Sequence, residues 1–267
     1  MIVTYLGHIV HIAGAPAVTG AREALATFPD GALIVDDSGV ITYCGPRQDA
    51  PATGTVVDHR GSFLLPGFVD THMHFPQTYS LDAYGGGQLL EWLDTCIFPA
   101  EARLADPVFA GRIARDFVAA RIRSGTTAAM VFGSAFPDAQ DALFTETERA
   151  GLRLVSGRGV QTVGPPSAAP LMTSEERAIE LCAAEIDRWH GDDSSLLQVA
   201  VVPRFTLSMS TRTLAALGEL YDDVRGRGVF MHSHLNENNR PGTGEIDAAG
   251  YAELVADEAV RKQYLGL

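Results

Sequence analysis

Two His-x-His pairs constrain this chain more than any other feature. An apolar run of strand type, residues 63–69, delivers His72 and His74, and a second run, residues 229–231, delivers His232 and His234. On a strand every second side chain points the same way, so Asp70, His72 and His74 share one face, as do His232 and His234. Imidazoles at that spacing can occupy adjacent corners of one divalent ion, with nitrogen-to-zinc distances of about 2.0–2.1 Å. One such pair fits histidines packed in a barrel or a loop equally well. Two pairs at two strand ends, with Glu237 following His234 closely, suggest a metal site with a proton-transfer group beside it.

Between the pairs the pattern alternates strand and helix. Phe109, Ile113, Phe117 and Ala120 recur at helical spacing and predict a helix over 106–124, stopped by Gly125. Strands are expected at 127–132, 153–157 and 197–203, and helices at 137–150, 174–190 and 211–225. A Pro-rich loop, 164–170, interrupts them, and a less regular segment covers 88–98. Such βα alternation implies a parallel sheet, in which functional residues stand at the C-terminal strand ends. Residues 1–63 read differently, as a small β subdomain of short strands (2–5, 8–12, 32–35, 40–43) joined by turns such as Asp36-Asp37-Ser38-Gly39. His8 and His11 fit ordinary strand positions, His59 a polar turn, and His190 a helix end.

Composition excludes several functions. A net charge of −13 and a pI near 4.9 oppose nucleic-acid binding, which needs clustered Lys and Arg. Cys44, Cys96 and Cys182 have no CxxC spacing and suggest neither disulfides nor thiolate metal ligands. No secretory signal pattern and no apolar run near ~20 residues is present, so the expectation is a cytoplasmic chain without membrane contact. Gly85-Gly86-Gly87 is no phosphate cradle, because no GK[ST] follows it; a loop is the simpler reading.

The segment Pro66-Gly67-Phe68-Val69-Asp70-Thr71-His72-Met73-His74 resembles the first-strand signature of the amidohydrolase superfamily of metal-dependent barrels. Further segments are similar to guanine deaminases: Pro76-Gln77, Leu89-Leu90-Glu91-Trp92-Leu93, Phe98-Pro99-Ala100-Glu101, Gly125-Thr126-Thr127, Pro203-Arg204-Phe205 and Ser233-His234-Leu235-Asn236-Glu237-Asn238. The resemblance implies an α/β amidohydrolase-type (β/α) barrel over 64–246. It implies zinc held by His72, His74 and His234, with Glu237 shuttling protons. It places Gln77 and Arg204 on the guanine, while Trp92 and Phe205 wall the pocket or simply pack in the core. For Arg204 a surface salt bridge is the alternative. The implied reaction converts guanine to xanthine and ammonia. Another substrate, such as a related purine or pterin, stays open. His232 is not made a ligand by the resemblance; it orients one or packs.

Departures from the family set further expectations. About five βα units can be counted, against the eight strands of a closed barrel. After His234 there is no histidine, and neither Asp247 nor Asp257 follows a strand like the family's. The expected barrel is therefore incomplete. Residues 247–267 form an atypical tail containing Lys262, the only lysine, and resemble the C-terminal tail of ATP-binding subunits of branched-chain amino-acid transporters. Exposed edges of such a sheet favour association, as a homo-oligomer or with a complementing polypeptide. An inactive remnant is the opposite expectation.

Overall fold

The computed structural model describes residues 1–15, 18, 20–80, 88–192 and 194–234. Glu237, the Gly85-Gly86-Gly87 stretch for which a loop is expected, Asp247, Asp257 and residues 247–267 lie outside the described residues. These residues form two compact units, Met1–Gly67 and a second that begins at Phe68.

The first unit is a four-stranded sheet of β1 (Val3–Ile12), β2 (Leu25–Val35), β3 (Ile41–Pro46) and β4 (Thr55–Leu64), in the order β3-β2-β1-β4. β1 runs antiparallel to β2 and parallel to β4. The two short strands expected at 2–5 and 8–12 are one strand with a register shift between Gly7 and Ile9. A bulge re-aims the side chains without ending the ladder, so the apolar pattern breaks while the strand continues. His59 lies within β4 rather than in a turn, and its ring stacks on Tyr5 with centroids 6.3 Å apart.

The second unit is a parallel sheet in the order β5-β6-β7-β8-β9, namely Phe68–His74, Thr126–Gly133, Arg153–Val160, Leu197–Pro203 and Phe230–Met231. The apolar run 63–69 is not a single strand. β4 ends at Leu64 and β5 starts at Phe68, because Pro66 offers no N–H to a ladder and has its φ fixed. His72 and His74 therefore lie in β5 itself.

Helices α1 (Pro107–Arg123), α2 (Pro137–Ala150), α3 (Glu175–Trp189) and α4 (Thr211–Val224) connect the strands. Their starts follow from local chemistry: the Asp106 carboxylate accepts from Val108 N and Phe109 N, Ser174 Oγ from Arg177 N, and Ser210 Oγ from Thr213 N. α2 ends at Gly151, whose φ of +68° suits a residue without Cβ. Before α1, a helical segment runs through Leu89–Trp92, a π turn Leu93–Ile97 and Phe98–Ala102.

The inner strands β7 and β8 are buried on both faces, as parallel strands under helices are, whereas the outer strands β5 and β9 are half-buried to exposed. Val131, Leu154, Val199 and Val201 pack with Phe117, Phe144, Ile186 and Leu217 of the helices, whereas Phe132, Ala200 and Val202 form a separate cluster. The alternation along β8 puts Val199 and Val201 on one face and Ala200 and Val202 on the other. Gly157 lets β7 approach β8 closely, since a Cβ there would lie 1.8 Å from Ala200 O. Buried Gln140 of α2 ties two strands together, accepting from Ser134 N and donating to Ser156 Oγ, which donates in turn to Val131 O. Among the described residues no helix is long and apolar enough to cross a membrane, and the cysteines are free.

Candidate metal centre

The C-terminal ends of the strands supply the histidines, Gln77, Phe132, Arg204 and Phe205, and the helical segment 89–102 adds Trp92 and Glu101. β5 presents His72 and His74 and leads into Gln77; β6 contributes Phe132; β8 is followed by Arg204 and Phe205; β9 is followed by His232 and His234. One ligand atom from each of His72, His74 and His234 lies within 4.8 Å of the others. Asp70 is not part of this group, and its carboxylate accepts from His72 N at 3.1 Å.

Hydrogen bonds define the ring orientations. His234 Nδ1 sits 2.8 Å from Arg204 O, a carbonyl that can only accept, so Nδ1 carries the proton and Nε2 presents a lone pair. His74 Nε2 is 3.0 Å from that Nε2, and Gln77 Nε2 is 3.3 Å from His74 Nδ1. Two ligand nitrogens on a tetrahedral ion with 2.0–2.1 Å bonds stand about 3.3 Å apart. The spacing and the imidazole donor set fit a divalent ion such as zinc.

Phe132 forms the floor. The rings of His74 and His234 stack on it, with centroids 4.8 and 3.9 Å away, and His232 approaches to 4.1 Å. Burial pulls His74 down to about 2, with His234 adding to the effect, and pulls His232 and His234 down to about 4. These three rings are neutral at pH 7, the form in which imidazole binds metals. His232 contacts His72 edge to face with centroids 5.6 Å apart, and its Nδ1 is buried without a partner. It is packed beside the ligand group and is not one of the three converging residues.

Arg204 and Glu101 form a buried ion pair, with Arg204 8% and Glu101 4% exposed. Their contact is bidentate, Arg204 Nη1 to Glu101 Oε2 at 2.5 Å and Nη2 to Oε1 at 3.0 Å. Glu101 Oε1 also accepts from Gln77 Nε2 at 3.1 Å. The salt bridge weighed for Arg204 thus exists but is internal, and it joins Arg204 to Gln77. Sequence reasoning assigned no role to Glu101 or Phe132. Glu101 is signalled only by its place in the Phe98-Pro99-Ala100-Glu101 segment, and Phe132 looks like any apolar strand residue.

A cavity of 220 Å³ connects these parts, lined by His74, Gln77, Trp92, Arg204, Phe205 and His234. The predicted residues Gln77, Trp92, Arg204 and Phe205 meet His74 and His234 there. Glu237 lies outside the described residues. The remaining histidines are elsewhere: His8 packs on Phe63, His11 on Phe28, and His190 accepts from Val199 N through Nδ1 and donates to Arg227 O through Nε2.

Comparison with known proteins establishes the family. The amidohydrolase family model matches residues 63–253. The chain belongs to the amidohydrolase family. This amidohydrolase chain is 42% identical over 247 residues to a probable guanine deaminase of Deinococcus radiodurans, covering 88% of this chain and 53% of that one. It is 35% identical over 220 residues to the guanine deaminase of Escherichia coli, covering 81% and 48%. A solved structure of E. coli guanine deaminase superposes with a TM-score of 0.77 at 30% identity, over 89% of this chain and 54% of that chain. The chain spans about half the length of the curated relatives it matches. Both the family resemblance and its guanine-deaminase branch are borne out, as is the partial α/β barrel.

Proposed function

We propose that this chain carries the metal-holding and base-binding part of a guanine deaminase, an enzyme that adds water across C2 of guanine and releases ammonia to leave xanthine. The observation that carries the reading is the meeting of His74 and His234 in one small cavity with Arg204, which the buried Glu101 carboxylate holds from behind. At 220 Å³ this space is below the about 300–1,000 Å³ of drug-sized sites and suits a compact flat base.

His72, His74 and His234 would hold one divalent ion, zinc by preference for neutral imidazoles. When bound, such an ion supplies the Lewis acidity that makes water a nucleophile at neutral pH. The protein's own groups do the rest. Arg204 keeps donors that Glu101 does not engage, and a guanidinium matches the O6 and N7 acceptors of guanine. Gln77, fixed by Glu101, orients its amide along another edge of the base. Trp92 and Phe205 wall the slot and exclude water. Glu237 takes one proton from the attacking water and delivers it to the ring nitrogen, then carries the remaining hydroxyl proton of the tetrahedral C2 to the leaving amine, so that ammonia departs neutral as the C2 carbonyl forms.

Ammonia release from guanine by the zinc-loaded full chain, with H234A as control, tests this reading. Turnover that H234A abolishes supports it; a folded, zinc-loaded chain without turnover refutes catalysis by this chain alone. A second reading rests on the outer strands β5 and β9, each paired on one side only among the described residues. Copies of the chain, or a polypeptide supplying further strands, would then complete the sheet. In that case ammonia release appears only when the remaining half of the Deinococcus relative is added.

A further inference from the structure

A cavity of 280 Å³ in the second unit shares no lining residue with the histidine cavity. Phe136 and Pro137, at the start of α2, line it together with Thr173 and Arg177, at the start of α3, and with Arg158 of β7. The other walls are apolar, Leu171 and Leu181 among them.

Arg158 is the unusual member. It shares its strand face with Ser156 and Val160, which meet Gln140 and the helix layer, and it is 4% exposed. Buried charges are normally paired, yet no carboxylate among the described residues forms an ion pair with this guanidinium. Glu185 Oε1 accepts from the Arg158 backbone N instead, at 3.0 Å. Nη2 donates to Ala135 O, and Nε is sealed in without a partner. Nη1 has no partner among the described residues either, but it is not sealed. Burial pulls Arg158 below the usual guanidinium range, and the Arg177 charge pulls the same way, against the raising effects of Cys182 and Glu185.

Arg177 brings a second guanidinium to the cavity. Its one ion pair, Nη1 to Glu180 Oε2 at 3.0 Å, joins side chains that are 58% and 65% exposed, and such surface pairs are weak. No side chain caps the start of α2, so its first N–H groups add positive potential on the same side. Like charges brought together in this way lack an anion between them.

We infer that this cavity is an anion site for a phosphoryl group, either free phosphate or the end group of a small organic phosphate. Arg158 Nη1 and the nitrogens of Arg177 that Glu180 leaves unengaged donate to its oxygens, and the Thr173 hydroxyl adds a third donor. The apolar walls accommodate an attached carbon body. This site depends on neither the metal nor the deaminase reading.

Calorimetric titration of the chelator-treated full chain with inorganic phosphate and with phenyl phosphate tests it. Tighter binding of phenyl phosphate identifies an organic phosphate as the source, and equal binding identifies the free ion. R158M is expected to weaken binding by about tenfold or more. R177M, at an exposed side chain, weakens it about fivefold, and E180Q, which frees Arg177, strengthens it about twofold. H234A leaves it unchanged. No heat from either probe at millimolar concentration, undiminished binding in folded R158M, or loss in H234A overturns the inference. Should R158M fail to fold, R177M and E180Q decide: loss in the first with gain in the second supports the site, and any other result overturns it.

Discussion

His74 Nε2 and His234 Nε2 stand 3.0 Å apart although β5 and β9, which carry and deliver them, are the outermost strands of a five-stranded sheet. In a flat sheet four steps of about 4.8 Å would separate those strands by ~19 Å. Curvature therefore folds the outer strands toward each other over Phe132, and the histidine contact records it. Without an ion, the contact requires one ring to donate. His234 Nε2 is the acceptor, since its Nδ1 proton is committed to Arg204 O, so His74 Nε2 donates and His74 Nδ1 accepts from Gln77.

A metal ion bound there would replace that shared proton, so both rings would act as one unit in binding it. H74A and H234A are each expected to lower zinc affinity by more than the 10–100-fold typical of losing a group that only supports a ligand. The double variant should be little worse than either, because effects within one unit do not add. Chelator competition measures all three, and additive losses would contradict a shared site.

The Arg204–Glu101 pair yields a stability prediction. Removing one partner of a buried ion pair strands the other and costs about 3–5 kcal/mol. E101A should therefore shift the urea midpoint strongly downward, while replacement of both residues by apolar ones recovers much of the loss. If E101A proves as stable as the parent, the pair is more hydrated than its burial implies.

The alternation of strands and helices was legible from residue 106 onward because caps such as Asp106 and Ser174 and stops such as Gly151 are local signals. So was the pairing of two His-x-His segments, whose spacing reports strand geometry directly. Phe132 was not legible: a phenylalanine near the end of an apolar strand has the same pattern whether it meets a helix or a ligand group, and sheet curvature decides which. Glu101 was hidden because its partners, Gln77 and Arg204, come from distant strand ends. The break at Pro66 was readable in principle, but the apolar run 63–69 concealed it.

Phe132 supports the rings without touching an ion, and truncating it should show that. F132A removes the face on which His74 and His234 stack and is expected to cost about 3–5 kcal/mol. F132L keeps most of the volume, so stability changes by less than about 1.5 kcal/mol, yet zinc affinity should still fall by roughly 10-fold as the rings lose their orientation. Unchanged zinc binding in F132L would assign Phe132 to packing alone.

Burial of the imidazoles gives a pH dependence with a definite sign. Folding holds His232 and His234 near 4 and His74 lower still, against an ordinary 6.5. Between about 4 and 6.5 the unfolded chain binds more protons than the folded one, so stability rises with pH there. The contribution is complete above 6.5, is lost as pH falls through that window, and persists downward for His74. In chelator-treated protein the urea midpoint should therefore drop between pH 7 and pH 5, and H232Q should flatten that slope. In H72A, whose remaining converging histidines are His74 and His234, zinc affinity should therefore change little between pH 8 and 6, because both rings are already neutral there. A steep loss of zinc by that variant over this range would mean that the two rings are solvated in solution and that the curved sheet does not hold them over Phe132.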